Sequence, residues 1–301
     1  AEAAAGALPG IHGNAMVFSN TLSGVAQSRP AVLEIAGIPD LVLTQLRGPT
    51  NGVTGDSIAL TNIEINAGRG AAELHYINYV LSTDSLITSN DLILSGGSWN
   101  YGLQPGESAT NTGTASLPVS LTSGVYYLGA IADGWDEVAE TNENNNSIAG
   151  NQIVIQGPDL VVSAVYAPSA AAAGGSISIT GIVANIGPGR AGWHRVQAFL
   201  SADPVITTGD HSIGDADWSS GLNTGASNTN ILWAWMGGDI PWGACYLGLI
   251  ADVDNEAPET NEANNASAGL PITILGPDMV PIHVAGPTNT TVGSSITVTG
   301  I

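Results

Sequence analysis

The chain reads as an all-β protein, a tandem of immunoglobulin-like antiparallel β-sandwiches, and three observations carry that reading. A unit of 119 residues recurs without a gap: Pro39-Asp40-Leu41 returns as Pro158-Asp159-Leu160 and again as Pro277-Asp278-Met279. Segments such as DLVLTQL, SIALTNIEIN, LHYINYVLS and GVYYLGAIAD alternate apolar and polar residues with the period of two that a half-buried strand requires. No window keeps a helical period with caps, and about seven strands per unit, separated by Gly, Asn, Ser and Pro, suit a sandwich better than a barrel.

Taken along the chain, residues 1–38 form an N-terminal segment whose first thirty residues match no repeat. Its end, AVLEIAGIPD, resembles the close of a full unit, LPITILGPD, and makes it a candidate donor or linking strand. The opening AEAAAGALPG lacks Met and a basic leader, as expected of a secreted or cell-surface protein after cleavage at small residues. Residues 39–157 and 158–276 are the two full sandwiches, in which Trp99 answers Trp218, His75 answers His194, Asp84 and Asp91 answer Asp203 and Asp210, and YLGAIAD answers YLGLIAD. Residues 277–301 supply only the first two strands of a third sandwich. Two strands alone are marginal in water and leave open edges. They are expected to be completed by chain beyond Ile301, by neighbouring repeats, or by a second copy through strand addition, giving a head-to-tail homopolymer. Val298 and Ile301 are the candidate contact residues there, and Trp233 and Trp235 are candidates on the second sandwich.

Composition narrows the function classes. Of 301 residues 44% are hydrophobic, enough for real cores. Against 26 Asp and Glu stand 5 basic residues, all arginine (Arg29, Arg47, Arg69, Arg190 and Arg195), and a net charge of -21 argues against nucleic acid as a partner. The absence of lysine excludes Lys–Asn isopeptide staples, and Cys245, standing alone in ACYLGLIAD, reads as a strand residue. No run of eighteen apolar residues suggests membrane insertion by a helix.

The acids concentrate in one hairpin, DGWDEVAETNENNN at 133–146, repeated as DVDNEAPETNEANN at 252–265. Calcium takes six to eight oxygens from carboxylates, amide carbonyls and backbone. The candidate ligands are Asp133, Asp136, Glu140 and Glu143 in the first unit and Asp252, Asp254, Glu259 and Glu262 in the second. The spacing is not that of an EF-hand. The alternative is structural: acids solvate the hairpin while asparagines take left-handed turn conformations and bond to the local backbone. The pairs Asp84/Asp91 and Asp203/Asp210 are weaker metal candidates of the same kind.

The lead-in GPDL, the LSTD…ND segment, and YLGAIAD followed by an acidic loop and E-T-N-E-x-N-N together resemble the CARDB family, named for a suspected part in bacterial cell adhesion. The resemblance spans residues 37–275 as two copies and 276–301 as part of a third. It implies an immunoglobulin-like sandwich found in tandem on secreted and surface proteins of bacteria and archaea, often beside hydrolase or adhesive modules, and it implies no ligand. The copies diverge where Gly134-Trp135-Asp136 meets Val253-Asp254-Asn255.

No enzyme is expected. GxSxG, HExxH and phosphate-loop patterns are absent from the sequence, and the abundant carboxylates are duplicated hairpin features rather than a single site. His75 and His194 lie in phase with Ile77 and Val196 and read as satisfied, near-core imidazoles, and Trp99 and Trp218 as core or rim packing. The leading expectation is a non-catalytic extracellular structural or adhesive protein, a subunit or segment of a surface fibre. The rival is a carbohydrate-binding module of a larger secreted hydrolase or adhesin. It rests on Trp193, Trp218, Trp233, Trp235 and Trp242 in the second copy, where the first has Thr114 and Ser116 opposite Trp233 and Trp235.

Overall fold

In Ser57–Asn66 the side chains of Ile58, Leu60, Asn62, Glu64 and Asn66 are buried while their neighbours turn outward, the period-two pattern of a sandwich strand with a polar inner end. Each inner polar group is satisfied. Asn62 donates to the Tyr79 hydroxyl at 3.0 Å, Glu64 meets His75, and Asn66 donates to the Gly70 and Leu103 carbonyls at 2.7 and 3.0 Å.

The computed structural model describes residues 10–19, 21–237, 240, 242–278, 280 and 282–300. Strands β1 (Gly10–Ser19) and β2 (Ala26–Ile35) form a hairpin. The first sandwich comprises β3 (Leu41–Arg47), β4 (Asn51–Val53), β5 (Ser57–Asn66), β6 (His75–Ser82), β7 (Leu92–Asn100), β8 (Ser108–Ser116), β9 (Gly124–Ile131) and β10 (Ser147–Gln156). The second comprises β11 (Leu160–Tyr166), β12 (Ala170–Ala172), β13 (Ser176–Asn185), β14 (His194–Ser201), β15 (His211–Ser219), β16 (Ser227–Trp235), β17 (Gly243–Ala251) and β18 (Leu270–Leu275). Short strands β19 (Val284–Ala285) and β20 (Thr299–Gly300) follow. The fold is all-β, immunoglobulin-like and repeated.

Sheet order is β11-β13-β16 against β12-β18-β17-β14-β15 in the second sandwich. The first has the same plan, but its two layers join into one ladder, β3-β5-β8-β7-β6-β9-β10-β4, because β7 also pairs with β8 at Ser95 to Gly97. Glycine permits that approach: a Cβ on Gly96, at φ 110°, would strike the Thr114 carbonyl. Asp215 and Ala216 occupy the matching positions of Gly96 and Gly97 in the second sandwich, where the ladder does not form. In both, the short second strand pairs in parallel with the last, β4 with β10 and β12 with β18.

Each sandwich has its own core, around Leu60, Ile77, Leu128 and Ile153 in one and Ile179, Val196, Leu247 and Ile272 in the other. One set of core positions has been exchanged as a group. The first sandwich has Asn62, Tyr79, Gly113 and Ala130, and the second has Gly181, Ala198, Leu232 and Leu249. A Cβ on Gly113 would strike the Gly97 carbonyl and lie 2.9 Å from the Tyr79 ring, and a Cβ on Gly181 would run into Leu249. Volume lost at one position is restored at its neighbour.

The sandwiches are joined by backbone. Arg190 N–H donates to the Thr54 carbonyl and Gly189 N–H to the Gly157 carbonyl, both at 3.0 Å, and Thr54 is buried in the joint. Beyond the second sandwich, β19 and β20 pair Val284 with Gly300 and Ala285 with Thr299, which is the register of Val165 with Gly181 and Tyr166 with Thr180 in β11 and β13. At the other end, β2 bonds to β1 along all ten residues, so within the chain the AVLEI segment closes its own hairpin instead of acting as a last strand. Among the described residues no helix is long and apolar enough to cross a membrane.

Replacing Tyr79 by Ala, the second sandwich's residue, should destabilise the first sandwich by about 3–5 kcal/mol through the cavity it leaves. Adding Ala130→Leu to that variant should recover part of the loss, read by urea unfolding, whereas adding Gly113→Leu should deepen it, because its Cβ would strike the Gly97 carbonyl.

Candidate functional site

The acidic hairpin links β9 to β10 and, in the second sandwich, β17 to β18. It begins with an aspartate in the left-handed region, Asp133 at φ 48° and Asp252 at φ 49°. Both carboxylate oxygens of Asp133 accept backbone N–H groups, from Glu137 at 2.8 Å and Val138 at 2.9 Å. Asp252 does the same with Glu256 at 2.8 Å and Ala257 at 3.0 Å. A short polar side chain that bonds its own loop tolerates positive φ. The other left-handed residues are Asp136 and Asn255, so this conformation falls mainly on aspartates and not on the asparagine run.

That run closes a clamp. Glu140 accepts from Leu41 N–H with one oxygen and from the Asn146 amide at 2.6 Å with the other, and Glu259 does so with Leu160 N–H and Asn265 at 2.6 Å. Glu143 and Glu262 accept the backbone N–H of Glu140 and Glu259 at 2.8 and 2.9 Å. Asn145 and Asn264 donate to Asp40 and Asp159 at 2.9 and 2.8 Å, and Thr141 and Thr260 N–H donate to the Pro39 and Pro158 carbonyls. Every residue type in E-T-N-E-x-N-N that recurs thus ties the hairpin to the Pro-Asp-Leu lead-in or to itself.

The clamp is rich in oxygen. In the second sandwich one carboxylate oxygen each from Asp252, Glu259 and Glu262 lie within 4.8 Å of one another. Among the described residues Asp133, Glu140 and Glu143 do not gather as closely. Asp254 is drawn away to Arg195 at 2.5 Å, and Asp136 is exposed, so neither joins the group. Burial, followed by the bond and charge of Glu256, pushes the Asp252 carboxyl up to about 7. Burial likewise raises Glu259 to about 8 and Glu140 to about 7, more than their donors from Leu160 or Leu41 and from asparagine lower them. Beside these acids the side-chain oxygens of Asn145, Asn146, Asn264 and Asn265 are buried and meet no donor. Carboxylates and unpaired amide oxygens are the donor set of a hard cation.

Next to the hairpin the copies solve one packing problem in two ways. In the first, Tyr76 stacks on Trp135 with ring centres 4.3 Å apart, and Trp99 meets both edge-on at 4.9 and 5.3 Å. In the second, the matching residues are Arg195 and Asp254, an ion pair whose guanidinium lies 5.8 Å from the Trp218 ring centre. Trp99 and Trp218 are therefore rim residues, 40% and 57% exposed, and not core. The paired exchange at positions 76/135 and 195/254 was visible in the repeat alignment and is the signal that marks these four residues as partners.

His75 and His194 are fully buried. His75 bonds Glu64 at 3.0 Å and the Glu73 carbonyl at 2.7 Å. Burial opposes its charge, yet the Glu64 bond and charge prevail and hold its pKa above the ordinary histidine value. Opposite His194 stands Val183, so its Nε2 has no partner, and burial depresses its pKa. The expected satisfied pair is satisfied on one side only. Asp84, Asp91, Asp203 and Asp210 accept nearby backbone N–H groups at 2.7–2.9 Å and act as turn caps. Burial pushes the half-buried Cys245 thiol up. Trp233, Trp235 and Val298 are exposed, and Ile301 lies outside the described residues.

Comparison with known proteins adds a family. The CARDB family model matches residues 38–150 and 157–269. Similar solved structures include a CARDB domain from Pyrococcus furiosus crystallised in complex with di-metal ions, at 19% identity over 39% of this chain and 89% of that one, TM-score 0.29. The solution structure of that domain matches at 20% identity over 39% and 95%, TM-score 0.29. A β-glucosidase from Listeria innocua in complex with isofagomine matches at 12% identity over 48% of this chain and 20% of that one, TM-score 0.27. No curated protein matches the chain.

The raised carboxyls set a pH dependence. Because the folded chain keeps protons on Glu140, Asp252 and Glu259 that the unfolded chain releases near its ordinary 3.8–4.5, their contribution is complete below that range and drains as pH rises towards about 7–8. In chelator-treated protein the melting temperature should fall across this window, and Glu259→Gln should flatten the fall for the second sandwich.

Proposed function

The chain belongs to the CARDB family, whose domains are non-catalytic, adhesion-related modules, and from that premise we propose that it is an extracellular structural or adhesive protein whose sandwiches join head to tail. The single observation that supports joining is the strand pair β19–β20. It adopts the register that opens a sandwich, yet Ile282, Val284, Ile296 and Val298 stand exposed, with no sheet facing them among the described residues. Apolar strand pairs of this kind need a covering layer. Strand addition from a second copy supplies one through main-chain bonds, and such a contact does not close on itself, which generates filaments. The 301-residue chain should therefore form linear assemblies by electron microscopy and sedimentation. Removal of residues 277–301 should leave monomers with both sandwiches folded, and polymers that persist without them would refute strand donation.

A second reading concerns the hairpin, favoured by the buried asparagine oxygens that lack donors. We infer that calcium is held in the second sandwich by Asp252, Glu259 and Glu262 with Asn264 and Asn265. Bound calcium would replace the protons these carboxyls otherwise retain and stiffen the clamp. Calcium should raise the melting temperature more at pH 8 than at pH 5, and Glu259→Gln should remove the difference. Equal melting with calcium and with chelator at pH 8 would exclude the site.

A further inference from the structure

Strands β11, β13 and β16, LVVSAVY, SISITGIVAN and SNTNILWAW, carry no charged side chain and no histidine, in a chain with 26 acidic residues. All the acids lie outside these three strands, which leaves the residues of this sheet electrically neutral. Two indoles stand on it. Trp233 and Trp235 are 69% and 61% exposed and, being two apart on one strand, share a face about 7 Å apart. The strand register sets Ser178 beside Trp233, Ser176 beside Trp235 and Thr180 beside Ile231, with Tyr166 flanking Thr180 on the far side. The result is a flat surface with an aromatic row, a hydroxyl row and a further aromatic ring.

We propose that this face binds a neutral polysaccharide, its pyranose rings stacked on Trp233 and Trp235 and its hydroxyls bonded by the serine and threonine row. An indole presents an electron-rich face, which attracts the polarised C–H groups on the flat side of a sugar ring. A Ser or Thr hydroxyl both donates and accepts, so it pairs with a sugar hydroxyl in either sense. Charge decides among partners. An anionic polymer would be repelled by a chain of net charge -21, and a cationic one would find no carboxylate on these three strands. A second copy seated on this face would bury the serine row, which protein interfaces disfavour. The first sandwich has Thr114 and Ser116 at the indole positions, so the site belongs to the second alone. It lies apart from β19–β20, and the chain without residues 277–301 keeps it whether or not strand donation holds.

The test is native affinity electrophoresis of the full chain in gels containing a soluble β-glucan, a galactomannan or an arabinoxylan, with polygalacturonate as the anionic control. At least one neutral polymer should retard the protein and polygalacturonate should not. The double variant Trp233→Thr, Trp235→Ser takes the first sandwich's own residues, so it should fold with unchanged melting temperature and lose affinity about tenfold or more. Three outcomes overturn the proposal: no retardation by any neutral polymer, retardation that the double variant leaves intact, or retardation by polygalacturonate alone. A double variant that abolishes self-association in sedimentation, with no sugar retention by the parent, would assign the face to contacts between copies instead.

Discussion

Each sandwich depends on one glutamate, the half-buried Glu140 or the buried Glu259, whose carboxylate bridges the first strand to the last hairpin. One oxygen takes the N–H of Leu41 or Leu160 at the start of the first strand, and the other takes the amide of Asn146 or Asn265 just before the last. A backbone N–H at that buried position without an acceptor would carry a substantial desolvation cost. The same carboxylate fixes where the first strand begins, and so the phase in which Leu41 and Leu43, or Leu160, face the core. Threonine, asparagine and the second glutamate then hold it in place. This arrangement accounts for an acidic hairpin that kept its residues while the core beneath it changed.

The core did change, in matched sets. Tyr79 with Gly113 became Ala198 with Leu232, the Tyr76–Trp135 stack became the Arg195–Asp254 ion pair, and Glu64 opposite histidine became Val183. The first two exchanges conserve volume or contact. The third does not, and it leaves His194 with an unpaired ring nitrogen inside the sandwich. The copies therefore share a frame while differing in surface chemistry, with indoles on the outer face of one and threonine and serine on the other.

Much of this was legible in the sequence, for reasons that are local. Strands such as SIALTNIEIN declare themselves because alternate burial is a two-residue property. The repeat places every later element by its offset from an earlier one. What escaped is non-local. Nothing near Glu140 reveals that its acceptor capacity is spent on Leu41, 99 residues away. The left-handed sites were expected on asparagines, but they fall on Asp133, Asp136 and Asp252 as well as Asn255, because loop closure sets φ. Trp99 looked like packing and does pack, yet at the rim, since its partner Trp135 comes from the hairpin and not from a sheet. The apolar AVLEI segment resembles a last strand, and its pairing with β1 depends on residues that match no repeat.

The parallel pairing of the short second strand with the last one has a mechanical meaning. A pull along a tandem chain enters each sandwich at Leu41 or Leu160 and leaves near Gln156 or Leu275. It therefore slides β4 along β10, and β12 along β18, in shear. Bonds sheared together must fail together, whereas a hairpin pulled from its open end peels one bond at a time. With the glutamate clamp pinning the point where tension enters, each sandwich is arranged as a latch that resists stretching until it yields as a whole.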